Sequence, residues 1–329
     1  MKIFHKGKLS NSDVIQWLQD MRGHPYVPES GFDVTTVFRV KSHDHDDYYF
    51  AGVNVENPDH RQSTHGEEAC IAAMVTSLGK NAEIVEGWVM GAPHDLIPGD
   101  QDPLAQNKVS CCGKCRQQIA GFADEAVKIH SVSLNGDLET HTVGMLLPLS
   151  FTFRQFAPEI LEDKNKPVQG SAPTLNAVKN KLIRKGESLT DSEIFSWLTS
   201  LESADFASKI SQSVILKLTN GAYVAGTKIE EAAFVSMNPL QSALAIANAE
   251  FGVCEVSHVW AYSKGRGGKE LKKDEIQALS LAGIQTLSQF VNGNNISISM
   301  FKENGTASKI ELHKTATYAP TFKKPFIEP

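Results

Sequence analysis

The chain has 329 residues, 41% of them hydrophobic and 21% charged, which is the composition of a globular protein long enough for two hydrophobic cores. Its 38 acidic residues outnumber its 32 basic residues, and the net charge of −6 argues against nucleic acid as a partner, because phosphate binding needs clustered positive charge. No run approaches about 20 apolar residues and no signal-peptide core is present, so we expect a cytoplasmic protein without a membrane segment.

The first half is predicted to combine helices and strands. Apolar residues recur at helical spacing over 10–21, and the Ala-rich run 64–78 ends at Gly79, a residue that readily closes a helix. Runs of β-branched and aromatic residues predict strands. After the first helix, the predicted order is strands at 32–40 and 48–53, a helix at 64–78, a strand at 82–90, a loop at 91–107, a helix at 112–124, and strands at 127–134 and 142–147.

A charged, proline-bearing stretch without periodicity, 158–173, follows and predicts a surface linker. The order of elements is then predicted to repeat, with strands at 213–219, 222–229 and 256–262 and helices at 240–251 and 273–290. We therefore expect a short N-terminal helical segment (1–24), a first domain (25–157), a linker (158–185) and a second domain (186–329).

Three of the five cysteines, Cys111, Cys112 and Cys115, lie within five positions, which is typical of metal binding rather than of a disulfide framework. Zinc accepts imidazole and thiolate ligands, and a catalytic zinc keeps three protein ligands and one open position. His65, at the start of the helix 64–78, completes such a set with Cys112 and Cys115, which lie on one helix face. A structural four-ligand zinc is the alternative, but the sequence has no second Cys-x-x-Cys pair.

An internal duplication accounts for the repeated order of elements. The segment 49–56 matches 223–230 at Tyr, Ala, Gly and Glu without a gap, and the same offset pairs Ala69 with Ala243. The alternative is that two unrelated α/β domains share a few small residues by chance. At this offset, the candidate ligand His65 pairs with Pro239 and the candidate proton carrier Glu67 pairs with Gln241. At a shifted register for the later helix, Cys112 pairs with Ser280 and Cys115 with Gly283. None of these counterparts is a histidine, a cysteine or a glutamate. Only the first half is then predicted to carry a working site.

The pattern His65-x-Glu67 followed by Cys112-x-x-Cys115 is the signature of zinc-dependent deaminases, except that Cys111 stands where the signature has a proline. The chain resembles the cytidine deaminases, in particular the two-domain bacterial type in which a catalytic domain is followed by a degenerate copy. The resemblance extends over about 26–290 and rests on the segments 30–34, 52–56, 65–69, 112–117, 146–151, 231–234 and 239–244. It implies an α/β fold with duplicated three-layer α/β/α cores, each built on a mixed sheet, and a homodimer.

The resemblance also implies the reaction. Cytidine and deoxycytidine would be hydrolysed to uridine and deoxyuridine in pyrimidine salvage, with a zinc-bound hydroxide as nucleophile and Glu67 as proton shuttle. Asn54 and Glu56 are implied to bind the ribose hydroxyls. Phe32 is implied to pack near the pyrimidine, unless it serves only the core. Three further positions are implied to contact or cover the base: Gly66 and Ser110 through their backbone, and Phe234 across a dimer interface.

Two departures from the family leave the nucleoside preference open, namely Cys111 and the long loop 91–107 before it. One alternative is therefore a deaminase of a modified or larger cytosine nucleoside. Another is a deaminase of cytosine in nucleic acid, disfavoured by the acidic charge and by the Asn54 and Glu56 pair. A third is a non-catalytic, zinc-stabilised binding protein, which the second half already resembles.

Overall fold

Two six-stranded mixed sheets form the framework, one in each half of the chain. The structure is a computed structural model and describes residues 3–41, 46–156, 174–186, 188–233, 236–265, 271, 279–291 and 296–312. Across these ranges, none of the helices has the length and apolar character needed to span a bilayer.

The first sheet has the strand order β1-β3-β2-β4-β5-β6. Only β4 and β5 run parallel, and the other neighbouring strands are antiparallel. The strands are β1 (Phe4–Lys6), β2 (Phe32–Lys41), β3 (Asp47–Val53), β4 (Glu83–Pro93), β5 (Ala123–Val132) and β6 (Leu138–Thr142). The helices are α1 (Asn11–Asp20), α2 (Gly66–Leu78), α3 (Pro103–Gln106), α4 (Gly113–Phe122), α5 (Val143–Leu146) and α6 (Phe153–Phe156), with a 3-10 turn at His60–Gln62.

The second sheet repeats this order as β7-β9-β8-β10-β11-β12, again with one parallel pair, β10 and β11. Its strands are β7 (Ile183–Arg184), β8 (Ile210–Leu218), β9 (Tyr223–Thr227), β10 (Val256–Gly265), β11 (Ser297–Phe301) and β12 (Ala307–Glu311). The helices are α7 (Leu175–Leu182), α8 (Asp191–Ser200), α9 (Pro239–Phe251) and α10 (Leu281–Ser288). The matching strand orders confirm the predicted duplication of an α/β core.

Helices cover both faces of each sheet. In β2, the Thr35 hydroxyl donates to the carbonyl oxygen of Leu18 in α1 at 3.1 Å, whereas a Cβ on Gly66, at the start of α2, would lie 2.9 Å from the Thr36 hydroxyl. Successive strand residues point to opposite faces, so α1 and α2 lie on opposite sides of the sheet. Ser213 of β8 donates to α8 at 3.1 Å in the same way as Thr35 does to α1. The predicted three-layer cores are confirmed.

The N-terminal helix is part of the repeated unit. In each half, a tryptophan of the sheet holds the helix on one face by a hydrogen bond. Trp88 of β4 donates to the Asn11 side chain of α1, and Trp260 of β10 donates to the Asp191 side chain of α8, both at 3.2 Å. Both helices also begin with a capping box, in which side chain and backbone at the helix start bond reciprocally. Helix α1 therefore packs against the first sheet as α8 packs against the second.

The ungapped alignment of the two halves does not hold in helices α2 and α9, where the counterparts shift by one residue. A Cβ on Gly52 of β3 would collide with the backbone of Cys70, and a Cβ on Gly226 of β9 would collide with the backbone of Ala243. Cys70, and not Ala69, is thus the counterpart of Ala243. This close approach of strand and helix also explains why both strand positions are glycine.

A one-residue deletion causes the shift. The paired bridge residues Val55 and Thr64 lie nine positions apart, whereas their counterparts Ile229 and Met237 lie eight apart. The overlay that placed His65 on Pro239 and Glu67 on Gln241 was therefore wrong by one residue. The corrected counterparts are Asn238 for His65 and Leu240 for Glu67.

The two halves pack together with approximate two-fold symmetry. The helices α2 and α9 lie against each other between the sheets, and nearly all of their residues are buried. The Gln117 amide of α4 donates to Glu231 at 2.7 Å, and the Gln285 amide of α10 lies 3.4 Å from the Asn57 side-chain oxygen. These two contacts are equivalent under the duplication, so the chain resembles a fused pair of subunits.

Two expectations about the first half were wrong. Residues 142–147 do not form a strand, because β6 ends at Thr142, whose hydroxyl accepts a hydrogen bond from the backbone N–H of Met145 and caps α5. The loop predicted at 91–107 starts later, because Gly91 still pairs with Val34 of β2 and β4 continues to Pro93. Helix α3 also lies within this loop.

The short edge strands were missed, and part of the predicted linker is ordered structure. Strand β1 pairs with β3, and its counterpart β7 pairs with β9. Strand β7 lies within the range 158–185 that was expected to be linker. Helix α7 precedes β7 in the same range. Residues 157–173 lie outside the described residues, and the domain boundaries themselves stay a prediction.

Candidate active site and metal centre

Two helix starts bring the three candidate ligands together. His65 and Cys112 are the residues immediately before α2 and α4, and Cys115 lies in the first turn of α4. The sulfur atoms of Cys112 and Cys115 lie 3.3 Å and 3.4 Å from Nδ1 of His65. All three donor atoms lie within 4.8 Å of one another. The residues predicted from sequence spacing therefore converge.

The cluster fits a zinc ion in donor chemistry and in spacing. Nitrogen and sulfur ligands of a tetrahedral zinc bond at about 2.0–2.3 Å and so lie about 3.5–3.8 Å from one another. Hydrogen bonding from Cys115, together with the His65 ring, lowers the pKa of Cys112 to about 3, while the same thiol pairing and burial raise the pKa of Cys115. One thiolate is thus present at neutral pH, and thiolate is the form in which cysteine binds metal.

Glu67 stands next to this cluster. It lies in the first turn of α2, is only 3% exposed, and lines the same cavity as His65 and Cys112. Burial is the main cause of its raised pKa. A carboxyl group with a raised pKa can both accept and return a proton near neutral pH.

Glu68 fixes the two helix starts relative to each other. Its carboxylate accepts from the backbone N–H of His65 at 2.9 Å, pairs with Lys114 of α4 at 2.9 Å, and accepts from the Gln118 amide at 2.9 Å. Because Glu68 is buried, these contacts set the spacing between His65 and the cysteines. Sequence reasoning missed Glu68, although its position three residues after a helix-capping residue is the spacing of a capping box.

Cys111 is a buried thiol beside Glu67, and burial raises its pKa. Its sulfur does not belong to the cluster of donor atoms found among the described residues. Arg116 holds this segment: it donates to the Cys111 carbonyl oxygen at 2.7 Å and to the Ser110 hydroxyl at 3.1 Å. Cys111 is therefore a neutral neighbour of the site.

A cavity of about 530 Å³ opens beside the cluster. It is walled by the loops that precede β2, α2 and α4, so several sequence motifs meet there. Six of the predicted site residues line it: Asn54, Glu56, His65, Glu67, Ser110 and Cys112.

Asn54 and Glu56 are held in place by backbone hydrogen bonds. The Asn54 amide accepts from Val34 N–H at 2.8 Å and donates to the Phe32 carbonyl oxygen at 2.9 Å. The Glu56 carboxylate accepts from Glu29 N–H at 2.9 Å and from the N–H of the next residue at 3.2 Å. Both side chains still border the cavity, where their remaining lone pairs and N–H can meet a ligand.

The other predicted substrate residues lie elsewhere or outside the described ranges. Phe32 is partly buried, and its ring packs at Gly91, where a Cβ would lie 2.9 Å away. Neither Phe32 nor Gly66 is among the residues that line the cavity, although Gly66 is buried next to it. Phe234 lies outside the described residues.

Sequence reasoning missed part of the cavity wall. Asn57, His60, Ser63 and Glu29 all line it, and the His60 ring lies 3.0 Å from the Glu29 carboxylate. The segment 57–63 connects the Asn-x-Glu element to His65, and its place between two site motifs is the signal that could have identified it.

The second half keeps the frame of this site without its chemistry. Ser280 caps α10 in the place where Cys112 precedes α4, which confirms that predicted pair. A Cβ on Gly283 would lie 2.8 Å from the Asn238 side-chain oxygen and 3.1 Å from the Leu240 side chain. The four counterparts therefore lie together, yet none of them offers an imidazole, a thiol or a carboxylate.

Known cytidine deaminases align with about two-fifths of the chain. The one from Mycoplasma pneumoniae is 28% identical over 134 residues, which is 41% of this chain and 88% of that protein. The one from Sporosarcina psychrophila is 27% identical over 131 residues, covering 40% and 83%. No family profile matches the chain.

Among solved structures, the cytidine deaminase from Burkholderia pseudomallei covers 44% of this chain and 100% of its own, at 22% identity and a TM-score of 0.35. The share of this chain that the two sequence relatives cover is that of a single core, so they do not span the duplication. In its sequence relatives and in its convergent histidine and cysteines, the chain is similar to the cytidine deaminases.

Proposed function

We propose that the protein catalyses the zinc-dependent hydrolytic deamination of cytidine and deoxycytidine at the site in its first half. The observation that carries the proposal is the convergence of His65, Cys112 and Cys115 beside Glu67 in one cavity. The relatives are named as cytidine deaminases, and the ligand set of this chain matches the chemistry of that reaction.

The residues of the chain divide the work as follows. His65, Cys112 and Cys115 would hold the zinc, which when bound supplies a Lewis acid that activates water at neutral pH. Glu67 takes a proton from the attacking water and returns it to the leaving amino group. A new bond forms between the water oxygen and C4 of the base, the C4–N bond breaks, and ammonia leaves.

The cavity favours an uncharged nucleoside over a nucleotide. Of the described residues that line it, none is lysine or arginine, whereas Glu29, Glu56 and Glu67 are acidic. A phosphate group would be repelled by these carboxylates and would find no lysine or arginine among these lining residues to pair with. Asn54 and Glu56 suit the ribose hydroxyls, because a carboxylate and an amide together offer acceptors and a donor.

Turnover of a nucleoside panel by the purified, zinc-loaded protein tests the proposal. We expect ammonia release and the matching change in ultraviolet absorbance with cytidine and deoxycytidine, and no comparable turnover of cytidine monophosphate. A modified cytosine nucleoside that is turned over far faster than cytidine would move the substrate assignment. Absence of ammonia release from every member, with zinc bound, would instead favour a zinc-stabilised binding protein.

Three further expectations belong to this proposal. The chain would contain a catalytic domain at 25–157 and a degenerate domain at 186–329, with the predicted segment 1–24 and linker 158–185 each contributing one edge strand, β1 and β7, to the neighbouring sheet. It would form a homodimer, which sedimentation of the full chain can test. A cytoplasmic location, without nucleic acid as a partner, stays a prediction.

A further inference from the structure

One wall of the candidate active-site cavity is formed by residues 57–63, called here the wall loop. It runs from Glu56 to α2, and its residues Asn57, His60 and Ser63 line the cavity. Within its own half, the loop is held by two hydrogen bonds at Ser63: Asn57 N–H donates to the Ser63 hydroxyl at 3.0 Å, and Lys114 donates to the Ser63 carbonyl oxygen at 3.2 Å.

The second half supplies further contacts of the wall loop. The Asn57 amide donates to the Thr286 hydroxyl of α10 at 3.1 Å. Gln285 lies 3.4 Å from the Asn57 side-chain oxygen, and the Gln241 amide of α9 donates to the Gln62 carbonyl oxygen at 2.8 Å. Helices α10 and α9 of the second half thus contact the wall loop near its two ends.

The Asn57–Thr286 hydrogen bond is buried, and the contacts made by Gln285 and Gln241 are partly buried. Asn57 is 1% exposed, Thr286 2% and Gln241 6%. A buried polar group that loses its partner cannot turn to water and bears the full desolvation cost. Displacement of the loop would therefore leave the buried Thr286 hydroxyl without the hydrogen bond from Asn57.

Gln241 and Thr286 occupy the positions that in the first half surround the candidate metal ligands. Gln241 lies in the first turn of α9, where α2 carries Glu68, and Thr286 lies on α10 where α4 carries Gln118. The second half has thus lost its ligand set while using the same helix faces to hold the catalytic half.

We propose that the second half is a built-in positioning element for the active site, in which Thr286 and Gln241 hold the wall loop against the substrate. The proposal rests on the proposed function only in assigning the cavity to a nucleoside. Thr286 and Gln241 are positioning residues, since they act through Asn57 and Gln62. Their loss is expected to weaken substrate binding and to leave zinc and the proton transfer in place.

The test compares two buried threonine-to-valine changes in the zinc-loaded full chain. Thr286→Val removes the acceptor for Asn57. Thr227→Val is the matched control, because the Thr227 hydroxyl bonds to Thr76 across the same interface at 3.1 Å but does not contact the wall loop. Thr286→Ser keeps the hydroxyl and should restore wild-type behaviour, and Gln241→Met probes the other end of the loop.

Two readouts are taken, namely backbone hydrogen exchange over 57–63 and steady-state kinetics with cytidine. Thr286→Val is expected to speed exchange in the wall loop and to raise KM, each by about tenfold, with kcat within about twofold of wild type. Gln241→Met should act in the same direction.

Unchanged exchange and KM in Thr286→Val, or equal changes in Thr227→Val, would overturn the proposal. Backbone hydrogen exchange tests the positioning role even if the protein does not turn over cytidine. If Thr286→Val speeds exchange in the wall loop of such a protein, the positioning role is supported and only the proposed function has failed.

Discussion

The counterparts of Asn54 and Glu56 in the second half keep the backbone frame of the candidate site but differ in their side-chain contacts. Asn54 N–H donates to the carbonyl oxygen of Val34 in β2, and Lys228 N–H donates to that of Gln212 in β8 in the same way. In the first half, the side chain at this position borders a cavity. In the second half, Lys228 pairs with the neighbouring Glu230 at 2.8 Å and donates to Ser208 at 2.8 Å.

Glu230 nevertheless keeps the backbone contacts of Glu56. Its carboxylate accepts from Ala207 N–H at 2.8 Å and from Ser208 N–H at 3.0 Å, as Glu56 does from Glu29 and Ser30. A glutamate at this place thus organises a loop whether or not a ligand binds. The difference between the halves lies in what faces the cavity, and the following predictions test that difference.

Loss of a ligand is expected to have the largest effect. Cys115→Ser should reduce bound zinc from stoichiometric to near zero and abolish turnover, because the remaining His65 and Cys112 leave the ion only two protein ligands. Metal analysis of the purified variant measures this directly. Cys254→Ser removes a thiol that lies in the second half, and it should keep both zinc and activity. Full zinc occupancy in Cys115→Ser would place the metal elsewhere.

Glu67→Gln should keep zinc and lose turnover. The amide has nearly the same shape but cannot accept and return a proton, so kcat is expected to fall by about 10²–10⁴-fold. Glu250→Gln is the matched control, because Glu250 is also a buried carboxylate but lies in α9, away from the cluster. If Glu67→Gln kept a tenth of the wild-type kcat, Glu67 would not be the proton carrier.

The metal ligands could be predicted from sequence because each lies in a short motif whose spacing fixes its geometry. A histidine before one helix and two cysteines at the start of another converge in any fold that brings those helix starts together. The duplication was also visible, since the Tyr-x-Ala-Gly motif survives in both halves. The exact counterparts were not, because one deleted residue before α9 moves the register and a chance match of Ala69 with Ala243 hides it.

The cavity wall could not be predicted, because long-range packing decides it. Asn57 faces Thr286 from a position 229 residues away in the chain, and no local pattern indicates that pairing. The false strand at 142–147 has a local cause: its β-branched and apolar residues fit a strand, but the Thr142 cap starts a helix instead. Sequence thus predicted the cluster of His65, Cys112 and Cys115 better than the cavity walls around it.

Glu68→Gln tests whether the ion pair with Lys114 holds the two helix starts at the spacing that zinc needs. The change makes this position resemble Gln241, its counterpart in the second half. We expect about tenfold weaker zinc binding in a chelator competition, because contacts that orient metal ligands typically affect affinity by about 10–100-fold. Lys114→Met should have a similar effect, and the double variant should be no worse than either single one, since both changes break one contact. Unchanged affinity in both would leave Glu68 with only a helix-capping role.

The smallest expected effect separates the two uses of the paired glutamates. Glu56→Gln and Glu230→Gln each keep one oxygen that can accept the two backbone N–H groups, so Glu56→Gln should unfold within about 1 kcal/mol of wild type. Glu230→Gln also breaks the ion pair with Lys228 and should therefore lose more stability than Glu56→Gln. Only Glu56→Gln should raise KM for cytidine, by about tenfold, because an amide is a weaker acceptor for ribose hydroxyls than a carboxylate. Urea unfolding and steady-state kinetics measure the two quantities separately. If both variants kept the wild-type KM, Glu56 would serve the loop alone, as Glu230 does, and the ribose hydroxyls would have to be bound by other residues of the cavity.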